Sequence, residues 1–226
     1  MKKKGVSLWR KTRGITVLMH RIIKTPTTME LNLSKTYTFA DYLNWNDGNR
    51  YELIKGAIFK MSPAPLFEHQ SILMELSYFV KSFFSAKKAT CKIIPAPFDV
   101  RLLRKGQSTA DKDIYTVVQP DICVVCDLSK IDKRGCIGAP DLIVEILSTS
   151  TAKYDLNEKF DLYQESGVKE YWVVFPSDKA IMLFVLGEDE QYDKGTLYSI
   201  DDDFMLCSKT IEGLQIDLKL VFDSVN

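Results

Sequence analysis

Ala139-Pro140-Asp141-Leu142-Ile143-Val144-Glu145-Ile146-Leu147-Ser148, with the segment behind it that ends in Gly167-Val168-Lys169-Glu170-Tyr171-Trp172-Val173-Val174-Phe175, decides the fold. Leu142 to Leu147 is a short apolar run with β-branched residues, the pattern of a strand covered on both faces. Ser148, Thr149, Ser150 and Thr151 then offer hydroxyls that can cap a helix. Leu156, Phe160 and Tyr163 step along one helical face, and Gly167 supplies the residue that closes the helix. Tyr171 to Phe175 is a second apolar strand. Strand, helix of three or four turns, strand is a βαβ unit, which requires neighbouring parallel strands and a right-handed crossover.

Outward from this unit, Val117 to Cys126 reads as another buried strand, followed by a polar connection from Lys130 to Gly138. Cys91 to Leu103 is strand-like, and Gly106 to Ile114 is an exposed loop. Nearer the start, Thr38 caps a short helix carrying Phe39, Tyr42 and Leu43. Tyr51 to Ile54 and Ala57 to Met61 form a hairpin turning at Lys55-Gly56. After Pro63 and Pro65, the spacing of Ile72, Leu76, Phe79 or Val80, and Phe83 predicts a helix with one buried face. Beyond the central unit, Ala180 to Leu186, Thr196 to Ile200 and Ile211 to Leu220 alternate like antiparallel strands. Residues 29–226 therefore read as one domain of α/β class, bordering on α+β. It has a mixed β-sheet with a parallel βαβ unit, flanking helices and additional antiparallel strands.

Composition narrows the function. The chain has 226 residues, 46% of them hydrophobic, and 30 Lys+Arg balance 30 Asp+Glu. No apolar run approaches the ~20 residues needed to span a bilayer. Five cysteines argue against a disulfide scaffold and for a reducing, cytoplasmic setting. With two histidines, His20 and His69, sites built on several imidazoles are excluded. The neutral total hides an asymmetry. Residues 1–28 carry eight cations and no acid, so the rest of the chain carries eight net negative charges. The basic start reads as an extension outside the domain, or as an arm for nucleic acid.

Acids on apolar strands are costly unless a metal, cation or donor meets them. Asp121, in Val118-Gln119-Pro120-Asp121-Ile122-Cys123-Val124, and Glu145 are the two such acids. Asp141 lies four residues before Glu145, about 13 Å along a strand, too far for one ion to join them directly. Adjacent strands are only about 4.8 Å apart, so Asp121 with Glu145 is the pair that geometry permits. Cys123 and Cys126, three apart on a strand, point to opposite faces and read as core thiols. Arg101, Arg104, Lys105, Lys112, Lys130, Lys133 and Arg134 sit in two loops, either as solvated charges or as groups gripping a phosphate backbone.

Pro120-Asp121 followed by Glu145 on the next strand resembles the PD-(D/E)XK phosphodiesterase pattern of restriction-endonuclease-like folds. Tyr51-Glu52-Leu53-Ile54-Lys55-Gly56, Met61-Ser62-Pro63-Ala64-Pro65, His69, Gln119-Pro120-Asp121 and Ala139 to Ser148 sharpen the likeness. Tyr154-Asp155-Leu156-Asn157-Glu158-Lys159 and Gly167-Val168-Lys169-Glu170-Tyr171-Trp172 complete it. Over residues 37–222 the chain resembles a bacterial restriction-endonuclease-like family long catalogued as a domain of unknown function.

The resemblance implies a restriction-endonuclease-like core and a Mg²⁺ (or Mn²⁺) ion held by Asp121 and Glu145. It also implies hydrolysis of phosphodiester bonds in DNA, and a homodimer. Hard Mg²⁺ takes oxygen ligands and keeps several waters, so two carboxylates suffice. The usual lysine would stand two residues after Glu145, but that position is Leu147. The family likeness gives its place to Lys159 in the following helix, which otherwise reads as a surface partner of Asp155. Glu52 is an auxiliary acid in this scheme, and His69 a general base or a hydrogen-bonding residue at a helix start. The Leu147 departure and the acidic domain keep a second reading open, a catalytically silent nucleic-acid-binding or assembly module. A two-carboxylate glycosidase ranks last, since Trp172 and the tyrosines read as core.

Overall fold

The computed structural model describes residues 32, 34–61, 65–148 and 155–223. The basic extension expected at 1–28 and three of the expected capping hydroxyls, Thr149, Ser150 and Thr151, lie outside the described residues. In chain order the elements are α1 (Phe39–Tyr42), β1 (Tyr51–Ile54), β2 (Ala57–Lys60), α2 (Phe67–Lys87), β3 (Lys92–Pro95) and β4 (Val100–Arg101). Next come β5 (Val117–Val118), β6 (Ile122–Val125), β7 (Ile131–Asp132), β8 (Gly135–Ile137) and β9 (Leu142–Ile146). A single turn of π-helix over Asp155–Lys159 leads into α3 (Phe160–Ser166). The chain continues as β10 (Glu170–Phe175), β11 (Ala180–Val185), β12 (Thr196–Ser199), β13 (Met205–Cys207), β14 (Gln215–Asp217) and α4 (Leu218–Asp223).

Proline divides two segments that alternation alone joins. Cys91 to Leu103 breaks at Pro95-Ala96-Pro97, and Val117 to Cys126 breaks at Pro120, because proline has no N–H to give a ladder. Each half enters a different sheet. The first sheet has the order β12-β11-β10-β9-β6-β3, and the second β2-β1-β5-β4-β8-β7. The two breaks lie side by side, since the Ala96 N–H donates to the Asp121 carbonyl at 2.9 Å. Asp121 is therefore released from one sheet and heads the first strand residue of the other.

The βαβ unit forms as expected. β9 and β10 are parallel, with Val144 opposite Trp172, and Gly167 closes α3 at φ 83°. β9 is flanked by β10 and β6, so Glu145 is not on a free edge. One face of this sheet buries Val144, Ile146 and Trp172 against Ile72, Leu76 and Val80 of α2 and Val221 and Phe222 of α4. The other face packs Ile143, Leu147 and Tyr171 against α3 and the second sheet. Burial along α2 runs through Ile72, Leu73, Leu76, Val80 and Phe84, so Phe84 takes the place expected for Phe83. Thr38 forms a full capping box with Asp41.

Four expectations are corrected. Ile211 to Leu220 is a strand only over β14. Asp217 then accepts the Lys219 N–H at 2.9 Å, and Leu218, Val221 and Phe222 bury at helical spacing. The polar connection 130–138 contains the β7–β8 hairpin. Arg101 is 1% exposed and bonds Asp132 at 2.7 Å, while Arg134 chelates Asp111, so neither arginine is available to a backbone. Finally, Cys126 is not a thiol but is joined to Cys91. The β3–β6 register sets Lys92 against Val125, which leaves these two cysteines opposite each other at the strand ends. The C-terminal hairpin is tied down by Glu170, which is fully buried. Trp172 Nε1–H donates to one oxygen at 2.6 Å, and Ser208, Lys209 and both donors of Thr210 meet the other at 2.7–3.0 Å.

Candidate active site

The β6–β9 register, Ile122 opposite Val144, places Asp121 and Glu145 opposite one another when extended by one residue. Both lie on the face that meets α3 and the second sheet, because Cys123 and Ile143, two residues away along each strand, bury there. The Ile146 N–H donates to Asp121 Oδ2 at 2.7 Å. His69, in the first turn of α2, brings its Nε2 to 3.1 Å from the same oxygen, while its Nδ1 is buried with no hydrogen-bond partner.

Glu145 is 3% exposed. Its Oε1 accepts from Lys159 Nζ at 2.8 Å and from the Tyr163 hydroxyl at 2.5 Å. Lys159 ends the π-helical turn, and Tyr163 follows one α-turn later on the same face. Burial, and after it the charge of Glu145, holds the Tyr163 phenol well above its usual range, so it remains a donor. Glu52 comes from β1 in the other sheet. Its Oε1 lies 3.3 Å from Lys159 Nζ and accepts the Gln119 N–H at 2.9 Å. One ammonium thus links acids from two sheets, and Lys159 is 5% exposed. Such an ion cluster is far from a surface pair, whose members would be solvated.

Glu52, His69, Asp121, Glu145 and Lys159 line one cavity of about 630 Å³. Leu147 also borders it, but is packed into the core with Leu162 and Tyr163; the cation enters from the helix instead. Tyr163 is the participant that sequence reading assigned only to a core face. Its spacing of four from Lys159 was the available signal. Asp141 stays outside, accepting from the Cys126 N–H at 2.7 Å and Lys169 Nζ at 2.6 Å.

Residues 39–219 match the family model Uma2, described as "putative restriction endonuclease". The chain belongs to this family. An uncharacterised protein of Synechocystis sp. is 26% identical over 152 residues, covering 66% of this chain and 74% of its own. Among solved structures, a protein of Anabaena variabilis described as a "putative nuclease belonging to DUF820" superposes with a TM-score of 0.64 at 18% identity. The match covers 83% of this chain and 98% of that one. The fold is therefore restriction-endonuclease-like, and membership of the Uma2 family supports a nuclease-like activity. Among the described residues, no helix is long and apolar enough to cross a membrane.

Proposed function

We propose that this Uma2 protein is a Mg²⁺-dependent nuclease acting on phosphodiester bonds in DNA. The observation that carries the reading is the placement of Asp121 opposite Glu145, with the buried Lys159 ammonium against Glu145 and Glu52. The donor set suits the ion. Glu52 and Glu145 meet one lysine while Asp121 stands opposite Glu145, leaving formal negative charge for a divalent cation, and the available ligands are hard oxygens. Among the described residues no three His, Cys, Asp or Glu side chains converge as a closed metal site. Carboxylate oxygens suit Mg²⁺, which keeps several waters, rather than a structural zinc held by Cys and His.

Asp121 and Glu145 would hold the ion, and Mg²⁺ bound there would supply Lewis-acid polarisation of the phosphoryl group and acidify a water. The chain's own groups do the rest. The Ile146 N–H and His69 fix Asp121. Tyr163 and Lys159 fix one oxygen of Glu145. The Lys159 ammonium, a compact charge with three donors, stabilises negative charge that develops as the diester is attacked in line. Glu52 holds that ammonium from the opposite sheet.

Circular and linear DNA incubated with and without Mg²⁺ test the reading. Cleavage is expected only with the ion, and it should be lost in Asp121→Asn and Glu145→Gln. Cleavage unchanged in both variants sinks the assignment. DNA binding without carboxylate-dependent metal binding in calorimetry would favour a silent binding module instead.

A further inference from the structure

The cavity is larger and more apolar than a phosphate alone requires. At about 630 Å³ it falls in the range that encloses a whole small ligand. Phe59 and Leu66 line it beside the acids. Phe59 stands directly across from Glu52 on the β1–β2 ladder, so ring and carboxylate share one face of the sheet. Phe59 is 37% exposed and Leu66 77% exposed. β2 is the edge strand of its sheet. Arg50 and Lys60 border the same cavity.

A DNA duplex offers such a wall only thymine methyls and sugar edges, because its base faces are hidden in the stack. An unstacked base offers a flat apolar face joined to a phosphate, which is what an aromatic and aliphatic wall beside a phosphodiesterase centre accommodates. The charge of the chain agrees. Duplex binding is driven chiefly by Lys and Arg at phosphates, whereas residues 29–226 are net acidic; stacking adds attraction to what Arg50 and Lys60 supply.

We infer that the Phe59–Leu66 wall is a nucleobase subsite, so that the substrate is DNA single-stranded or unpaired at the nucleotide beside the scissile phosphate. This rests on the nuclease reading above. The test is anisotropy of a labelled oligodeoxynucleotide, as single strand and as blunt duplex, with Ca²⁺ replacing Mg²⁺, beside a cleavage assay in Mg²⁺. The strand should bind at least about tenfold more tightly than the duplex. Phe59→Ala should weaken strand binding by about tenfold or more, as when one base–aromatic contact is removed. Phe59→Leu keeps apolar volume on the edge strand and should lose part of that. A single abasic nucleotide moved along the strand should weaken wild-type binding at one position, and Phe59→Ala should be insensitive to it there. Circular dichroism checks that both variants fold. Equal binding of strand and duplex, or unchanged binding by both variants, overturns the inference. So does loss of a dimer in Phe59→Ala with strand binding intact, which would give the wall to a second copy. Duplex cut as readily as single strand removes this inference alone. No cleavage or binding of either form with any divalent ion removes the nuclease reading and this inference together.

Discussion

Tyr163 shows how a core residue becomes part of a site. Its hydroxyl is spent on the same Glu145 oxygen that takes Lys159, so it fixes the carboxylate without reaching the cavity. Tyr163→Phe should lower kcat by about 10- to 100-fold, the usual cost of losing a group that orients a ligand, with KM little changed. Steady-state cleavage assays at saturating Mg²⁺ check the split, and an unchanged kcat would make the contact purely structural. Asp121→Asn and Glu145→Gln should each cost more than about 100-fold in kcat. Lys159 illustrates what spacing could not show. Its distance of four from Asp155 fits a surface pair, and only the approach of β1 from the other sheet shows that it serves Glu52 and Glu145.

Among the elements, the β9–α3–β10 unit was legible because no proline breaks its largely apolar strands and each end carries a turn signal. The β3/β4 and β5/β6 pairs were not, because hydrophobic alternation continues across a proline while hydrogen bonding does not. That blind spot lies where Asp121 sits: the pair with Glu145 was readable from strand spacing, the sheet change that exposes it was not. The C-terminal hairpin hangs on Glu170, a residue with no pattern to mark it. Glu170→Ala would leave the Trp172 indole and several loop donors buried without an acceptor, and should cost about 3 kcal/mol or more in urea denaturation. The Cys91–Cys126 bond closes a loop of 35 residues, so dithiothreitol should lower stability by up to about 4 kcal/mol on the chain-entropy account. A midpoint unmoved by reductant would speak against the bond's formation.

For the molecule as a whole, several buried acids of high pKa set a limit at alkaline pH. Burial pushes the Cys136 thiol from its ordinary value of 9.0 up to about 11. It also raises Cys123, and the phenols of Tyr42, Tyr163 and Tyr192. The folded chain keeps protons that the unfolded chain releases above pH 9, so stability is full below that value and falls as pH rises towards 11. Urea midpoints should hold between pH 8 and 9 and decline from there to pH 11, and a flat profile throughout would contradict these burials. The switch of two strands between sheets bears on how the chain folds. Residues 92–125 supply β3 and β6 to one sheet and β4 and β5 to the other, so neither sheet can be completed without the other's partners in place. We expect calorimetry of residues 29–226 to show one transition, with two separate peaks counting against it. Because these pairings join distant stretches of chain, refolding should be slow, and nuclease activity should return only with the last kinetic phase, never on a half-formed sheet.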